Sequence, residues 1–213
     1  MKLLDGEYDE KRKQDGNISN PLLSGKNRKG KKGDMTSQED IMVLTDELIQ
    51  RGFSLQDVTD EDLNDYISIK RDCLKKYVDQ YNGGWMDDIQ TVINTDSFKR
   101  LLKSACFQKI LLDGTTAGFF SYEEQSGKID GISILMAEQA RNKGMGSFYL
   151  DHITSLSRRT EKPAFLITYK SNPVQSLLNR FGFKIYDQSR THYLMSFSQD
   201  GKVQFTNYKT ILH

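Results

Sequence analysis

The segment RNKGMGSFYL runs from Arg141 to Leu150. Two cations and an asparagine lead into Gly144 and Gly146, and an apolar-periodic run follows. A helix N-terminus carries unpaired amides and the positive end of the helix dipole, so it favours an anion. Glycine permits positive φ and lets backbone approach a phosphate closely. A glycine turn flanked by Arg141 and Lys143 therefore suits a pyrophosphate. The stretch lacks the Gly-Lys-Ser/Thr ending of a nucleotide P-loop, and no third glycine completes a dinucleotide fingerprint.

Working outward, GISILMA (131–137) is nearly all apolar, as expected of a strand buried on both faces. It is the third of three strand-like runs, separated by turns at Asp113-Gly114 and Ser126-Gly127. Downstream come a helix (GSFYLDHITSLSRRTE), an apolar strand (PAFLITYK), a short helix (PVQSLLNRFG) and a closing pair of strands (FKIYDQSRTHYLMSF). Toward the N-terminus, SQEDIMVLTDELIQRG predicts a short helix opened by a Ser37–Asp40 capping box and ended by Gly52. FSLQDV alternates as a strand. Thr59 can cap the next helix, where Leu63, Ile67, Leu74, Val78 and Tyr81 recur at helical spacing. Gly83-Gly84 break it, and DDIQTVINTDSFKRLLKS predicts a further helix interrupted near Asn94-Thr95-Asp96. After the first helix the order is β-α-α-β-β-β-α-β-α-β-β. That order predicts an α/β (α+β) fold with a mixed sheet flanked by helices.

The chain has 213 residues, 37% hydrophobic and 10% aromatic, enough for one core. A net charge of +1 gives no global field for nucleic acid. No apolar run approaches a membrane span, and the acidic N-terminus does not read as a signal peptide. Cys73 and Cys106 set no disulfide framework, so free thiols in a reducing cytoplasm are expected. Residues 1–34 carry nine Lys/Arg against six Asp/Glu and read as a disordered basic leader. The remaining boundaries are an N-terminal helix at 35–52, the domain at 53–198 and a C-terminal extension at 199–213. His152, His192 and His213 are scattered, so no metal site is expected, and His192 reads as a surface residue.

QARNKGMGSFYLDHI resembles the Arg/Gln-x-x-Gly-x-Gly acetyl-CoA motif of the GNAT superfamily of N-acetyltransferases, with Arg141, Gly144 and Gly146 at its fixed positions. SNPVQSLLNRFGFKIYD resembles the family's second motif, represented by Asn172, Gly182 and Phe183. The likeness runs over roughly residues 53–197, its N-terminal third mainly in pattern. It implies a GNAT-like acyl-CoA transferase fold with a mostly antiparallel central sheet. It also implies direct acetyl transfer from acetyl-CoA to an amine of a small molecule or peptide. Arg141, Asn142, Lys143, Gly144, Met145 and Gly146 would cradle the pyrophosphate. Leu135, Met136 and Ala137 would line the acetyl group, the Met136 amide polarising its carbonyl in the manner of an oxyanion donor. Asn172 would contact the cofactor arm or cap its own helix.

One departure matters: many members have Tyr four residues before the Gly of Gly-Phe, and this chain has Leu178, which cannot protonate a leaving thiolate. Tyr169 is the candidate substitute. Asp130 and Glu123 are the candidate bases, as catalytic acceptors of the amine's proton or as binders of a cationic substrate. Tyr81 and Trp85, around the Gly-Gly break with Asp79, Asp87 and Asp88 nearby, are the candidate substrate-binding pair. Family members are often dimers, and KIYDQSR and HYLMSFS would be the edge strands for a homodimer. The alternative to an enzyme is a catalytically inactive CoA-binding or interaction protein that keeps the fold. A nucleic-acid role rests only on the basic leader.

Overall fold

A computed structural model describes residues 42–201. The basic leader, the Ser37–Asp40 capping box and the extension beyond Gly201 lie outside the described residues. The first described helix, α1, spans Asp46–Gln50. It is shorter than expected because residues 42–45 are not helical and the extended Thr45 caps it, its Oγ1 accepting from Leu48 N at 3.4 Å. Strand β1 (Phe53–Asp57) follows, and then a capping box in which Asp62 accepts from the Thr59 amide. Lys109 lies 2.6 Å from the same carboxylate and anchors the start of the next helix to the sheet.

Helix α2 runs Leu63–Tyr81 and α3 runs Asp87–Ser104. The buried stripe of α2 is Tyr66, Ile69, Tyr77 and Val78. Of the expected stripe Val78 is buried, while Leu63, Ile67, Leu74 and Tyr81 are only half-buried, because Tyr66 and Tyr77 face the sheet instead. Helix α3 is continuous through Asn94-Thr95-Asp96, correcting the expected interruption. Asn94 is itself buried, so tertiary packing overrides its weak helix propensity.

Strands β2 (Cys106–Leu112), β3 (Thr115–Glu124) and β4 (Ile129–Met136) form an antiparallel meander, and α4 (Met145–Thr160) crosses to β5 (Ala164–Tyr169). A short helix α5 (Val174–Arg180) leads to β6 (Lys184–Gln188) and β7 (His192–Phe197). The sheet order is β1-β2-β3-β4-β5-β7-β6, antiparallel except for β4 beside β5. Strand β7 therefore lies inside the sheet, and of the two closing strands only β6 is an edge.

Adjacent residues of a strand face opposite sides. Phe119 meets the rings of Tyr66 and Phe107 beneath α2 and α3, while Phe120 stacks on Tyr149 of α4 with centroids 4.3 Å apart. Leu178 of α5 and Leu48 of α1 join the core on the α4 side. The two helical layers thus cover opposite faces of one sheet.

Candidate functional site

Strands β4 and β5 touch at one register pair, Ile129 with Ala164, supported by the Ile129 amide donating to Pro163 O at 2.9 Å. Beyond it they diverge, so the gap widens toward Met136 and Tyr169. Along β4, Ile129, Leu135 and Met136 are buried, while Asp130 and Ile132 to Ile134 are only half-buried. The expectation of a strand buried on both faces therefore holds only at its ends. A bulge lies in β4, where the β3 register shifts between Ser121 and Glu123 and Gly131 takes φ of 62°.

Register decides which β4 groups face the gap. The Ala137 amide donates to Ala117 O at 2.8 Å, and Leu135 has the same parity, so the backbones of both turn toward β3. Met136 alternates, and its N–H and C=O turn to the β5 side. Its carbonyl accepts from Arg141 Nε at 2.9 Å and from Cys73 Sγ at 3.4 Å. Of the three residues expected to line the acetyl group, Met136 is the one whose main chain faces the gap. Arg141 is tied to the strand end, with Nη2 3.7 Å from Cys73 Sγ, rather than standing free beside the turn.

The glycine turn stands at the open end. Asn142 has φ of 60° and Gly144 φ of 97°, the left-handed conformation that glycine adopts without penalty. Helix α4 starts at Met145 with no side chain capping its amides, and its first internal bond runs from Phe148 N to Gly144 O. The amides of Met145, Gly146 and Ser147 precede that bond. Met145 itself buries its side chain. Gly146 also serves packing: a Cβ there would lie 3.3 Å from Leu177 of α5. Asn172 acts as a cap, its Oδ1 accepting from Val174 N at 3.0 Å.

Helix α2 spans the gap on the opposite face. Cys73 reaches Met136, and one turn later Tyr77 stacks on Tyr169 with centroids 5.1 Å apart. Tyr81 also stacks on that ring, with centroids 5.8 Å apart, and the His192 ring centroid lies 4.1 Å from it. The structure thus brings Tyr81 and Tyr169 together and adds His192, which is half-buried rather than a surface residue. On β5 beside Tyr169, Thr168 Oγ1 is buried without a hydrogen-bond partner. Trp85 lies elsewhere. Its amide donates to Asp79 and its indole to Asp87, and it lines a separate hollow with Ile67 and Arg71.

Glu123 and Asp130 are cross-strand partners at the closed end. Arg100 lies 3.7 Å from Glu123, and Lys128 pairs with Asp130. Asp130 precedes Met136 by six residues, about 20 Å of strand. The structure brings these two carboxylates to each other and separates them from Tyr169. Beside the end of β4 an open groove of about 680 Å³ is lined by Asp65, Asp72 and Glu138, with Arg141 on its wall. Leu178 is buried in the core and has no proton to give. Burial pushes the Tyr149 phenol well above its ordinary value of 10.0, which leaves it a neutral structural donor to Ser121 O.

This seven-stranded sheet and its helices superpose on solved N-acetyltransferases. The PaiA N-acetyltransferase of Thermoplasma acidophilum, solved in complex with coenzyme A, superposes with a TM-score of 0.54 at 17% identity, over 68% of this chain and 98% of that one. The fold is the GNAT fold. Ard1 from Thermoplasma volcanium gives 0.51 at 18% identity, over 69% and 97%. A Desulfovibrio desulfuricans protein described as a GNAT-family acetyltransferase gives 0.52 at 15%, over 68% and 98%. No protein-family model and no curated protein matches the sequence. Arg51, Cys73, Thr168 and His192 carry no motif in the sequence, so no site role is expected of them there, and Tyr77 joins the site through its stacking on Tyr169. Among the described residues there is no cluster of metal-ligating side chains, and no helix is long and apolar enough to cross a membrane. Both cysteines are free thiols.

Proposed function

We propose that this chain is an acetyl-CoA-dependent N-acetyltransferase whose donor lies between β4 and β5. One observation carries the reading: the two strands part in the middle of the sheet, and an uncapped glycine-led helix N-terminus stands at the opening. The residues present fit such a donor. The Met145, Gly146 and Ser147 amides suit the pyrophosphate. The Met136 amide offers a polar partner in the gap, and the Thr168 hydroxyl on β5 is buried without a partner of its own. Asn172 serves the fold, as the cap of α5.

Acetyl-CoA would supply an activated thioester, and a neutral amine would take its acetyl group. Met136 N–H donates to the carbonyl oxygen as negative charge builds there. Tyr169, held flat between Tyr77, Tyr81 and His192, stands at the mouth as donor of a proton to the leaving sulfur. Asp130 and Glu123, each paired with a cation at the closed end, stand too far from Met136 to act as base, so the amine's proton would leave to water at the open end. The Asp65–Asp72–Glu138 groove supports a cationic acceptor, a small amine or a peptide amine. Trp85 faces a different hollow and is dropped from the acceptor site.

The test is calorimetric titration with acetyl-CoA, followed by an amine screen that detects released thiol. Saturable one-to-one binding with thiol release supports the enzyme. The second reading, a CoA-binding protein without transfer, is favoured by Leu178 and would show as binding with no thiol release against any amine.

A further inference from the structure

Helix α1 touches the glycine turn at one polar point. Arg51, the C-cap of α1, donates from Nη1 to Lys143 O at 2.8 Å, across 92 residues of sequence. Glu47 holds the other end of the same guanidinium at 2.5 Å. Leu48 of α1 is buried in the core beneath it, and a Cβ on Gly144 would lie 3.4 Å from Leu48 and 3.5 Å from Arg51. The turn therefore rests on α1 through one apolar and one charged contact.

The peptide joining Lys143 to Gly144 is planar and trans, so its C=O and N–H point in opposite directions. Fixing one fixes the other. A residue pair in which the second member is glycine can rotate this peptide at little steric cost, and the rotation would exchange a donor for an acceptor at the same place. An acceptor turned toward a phosphate repels it.

We propose that Arg51 is a positioning residue for the nucleotide turn: by holding Lys143 O against α1, it aims the Gly144 N–H into the anion site beside the α4 amides. This inference rests on the donor reading above. It assigns the short helix before β1 a part in donor binding, although α1 contributes no residue to the gap between β4 and β5. Arg51 works through the peptide it holds.

The experiment compares wild type, Arg51→Met and Arg51→Lys by calorimetric titration with CoA and by the 15N–1H resonance of the Gly144 amide with inorganic pyrophosphate added. Arg51→Met should weaken CoA about tenfold, the scale of one charge-assisted hydrogen bond. It should also move the Gly144 resonance and blunt its response to pyrophosphate, with the melting temperature nearly unchanged because Arg51 is exposed. Arg51→Lys should recover part of the affinity. Equal CoA affinity in wild type and Arg51→Met overturns the positioning role and leaves the donor site standing. Full recovery by lysine with an unmoved Gly144 resonance assigns the effect to charge alone and also overturns it. A wild type that binds no CoA overturns the donor reading and this inference together.

Discussion

The two ends of the β4–β5 pair are built on opposite terms. At the closed end every charge has an answer: Asp130 faces Lys128, Glu123 faces Arg100, and Ile129 is fully buried against Ala164. At the open end the strands separate. Main-chain groups of Met136 turn into the gap, and a helix N-terminus arrives uncapped. Helix α2 ties the two lips together through Cys73 on one and Tyr77 on the other. The closed end is made to hold, and the open end is made to receive.

Substitutions at four positions test that contrast. Ile129→Ala should give the largest loss, about 3 kcal/mol by thermal or denaturant unfolding, because it empties a fully buried site at the one point where the strands meet. A cost under about 1 kcal/mol would mean that the pairing at Ile129 is not what joins them. Gly144→Glu should weaken CoA by more than about 100-fold in a titration, since a carboxylate at φ of 97° adds strain and opposes the anion. Gly144→Ala, which adds the strain alone, should lose much less, and equal losses would remove charge from the explanation.

Tyr169→Phe should lower turnover about tenfold and leave CoA affinity alone, because it deletes only the hydroxyl from a stacked ring. Unchanged turnover would pass the proton to water. The smallest effect belongs to the anchor of α2. Burial alone would raise the Asp62 carboxyl, but hydrogen bonds from Lys109 and Thr59 outweigh it and leave it below its ordinary 3.8. A carboxyl lowered on folding stabilises above its unfolded value, and that contribution drains away as pH falls through the folded one. Asp62→Asn should therefore cost about 1 kcal/mol near neutral pH, with the two unfolding curves converging below pH 3.8. Parallel curves at all pH values would mean that the carboxylate charge is idle.

Much of the order of elements along the chain was legible in sequence, because turns such as Asp113-Gly114 and runs such as AFLITYK obey local rules. The glycine turn was legible for the same reason: Gly144 needs its φ whatever surrounds it. The splay was not. Parting of β4 from β5 is a relation between residues 35 apart in sequence, and neither strand alone encodes it. The stacked group at the mouth was also hidden, since Tyr77, Tyr169 and His192 come from three elements and converge only through packing. Arg51 lay outside the motif that it supports. Asn94 misled because its helix-breaking tendency is overruled where it is buried.

A sheet joined across its middle by one register pair is mechanically two sheets, four strands and three. A molecule seated between them would make the hydrogen bonds that the strands do not make with each other. It would act as mortar as well as reagent. Filling the gap would then be felt as stiffness across the whole sheet, with amide exchange slowing on β5 and β7 as well as at the turn, and emptying it would loosen the protein again.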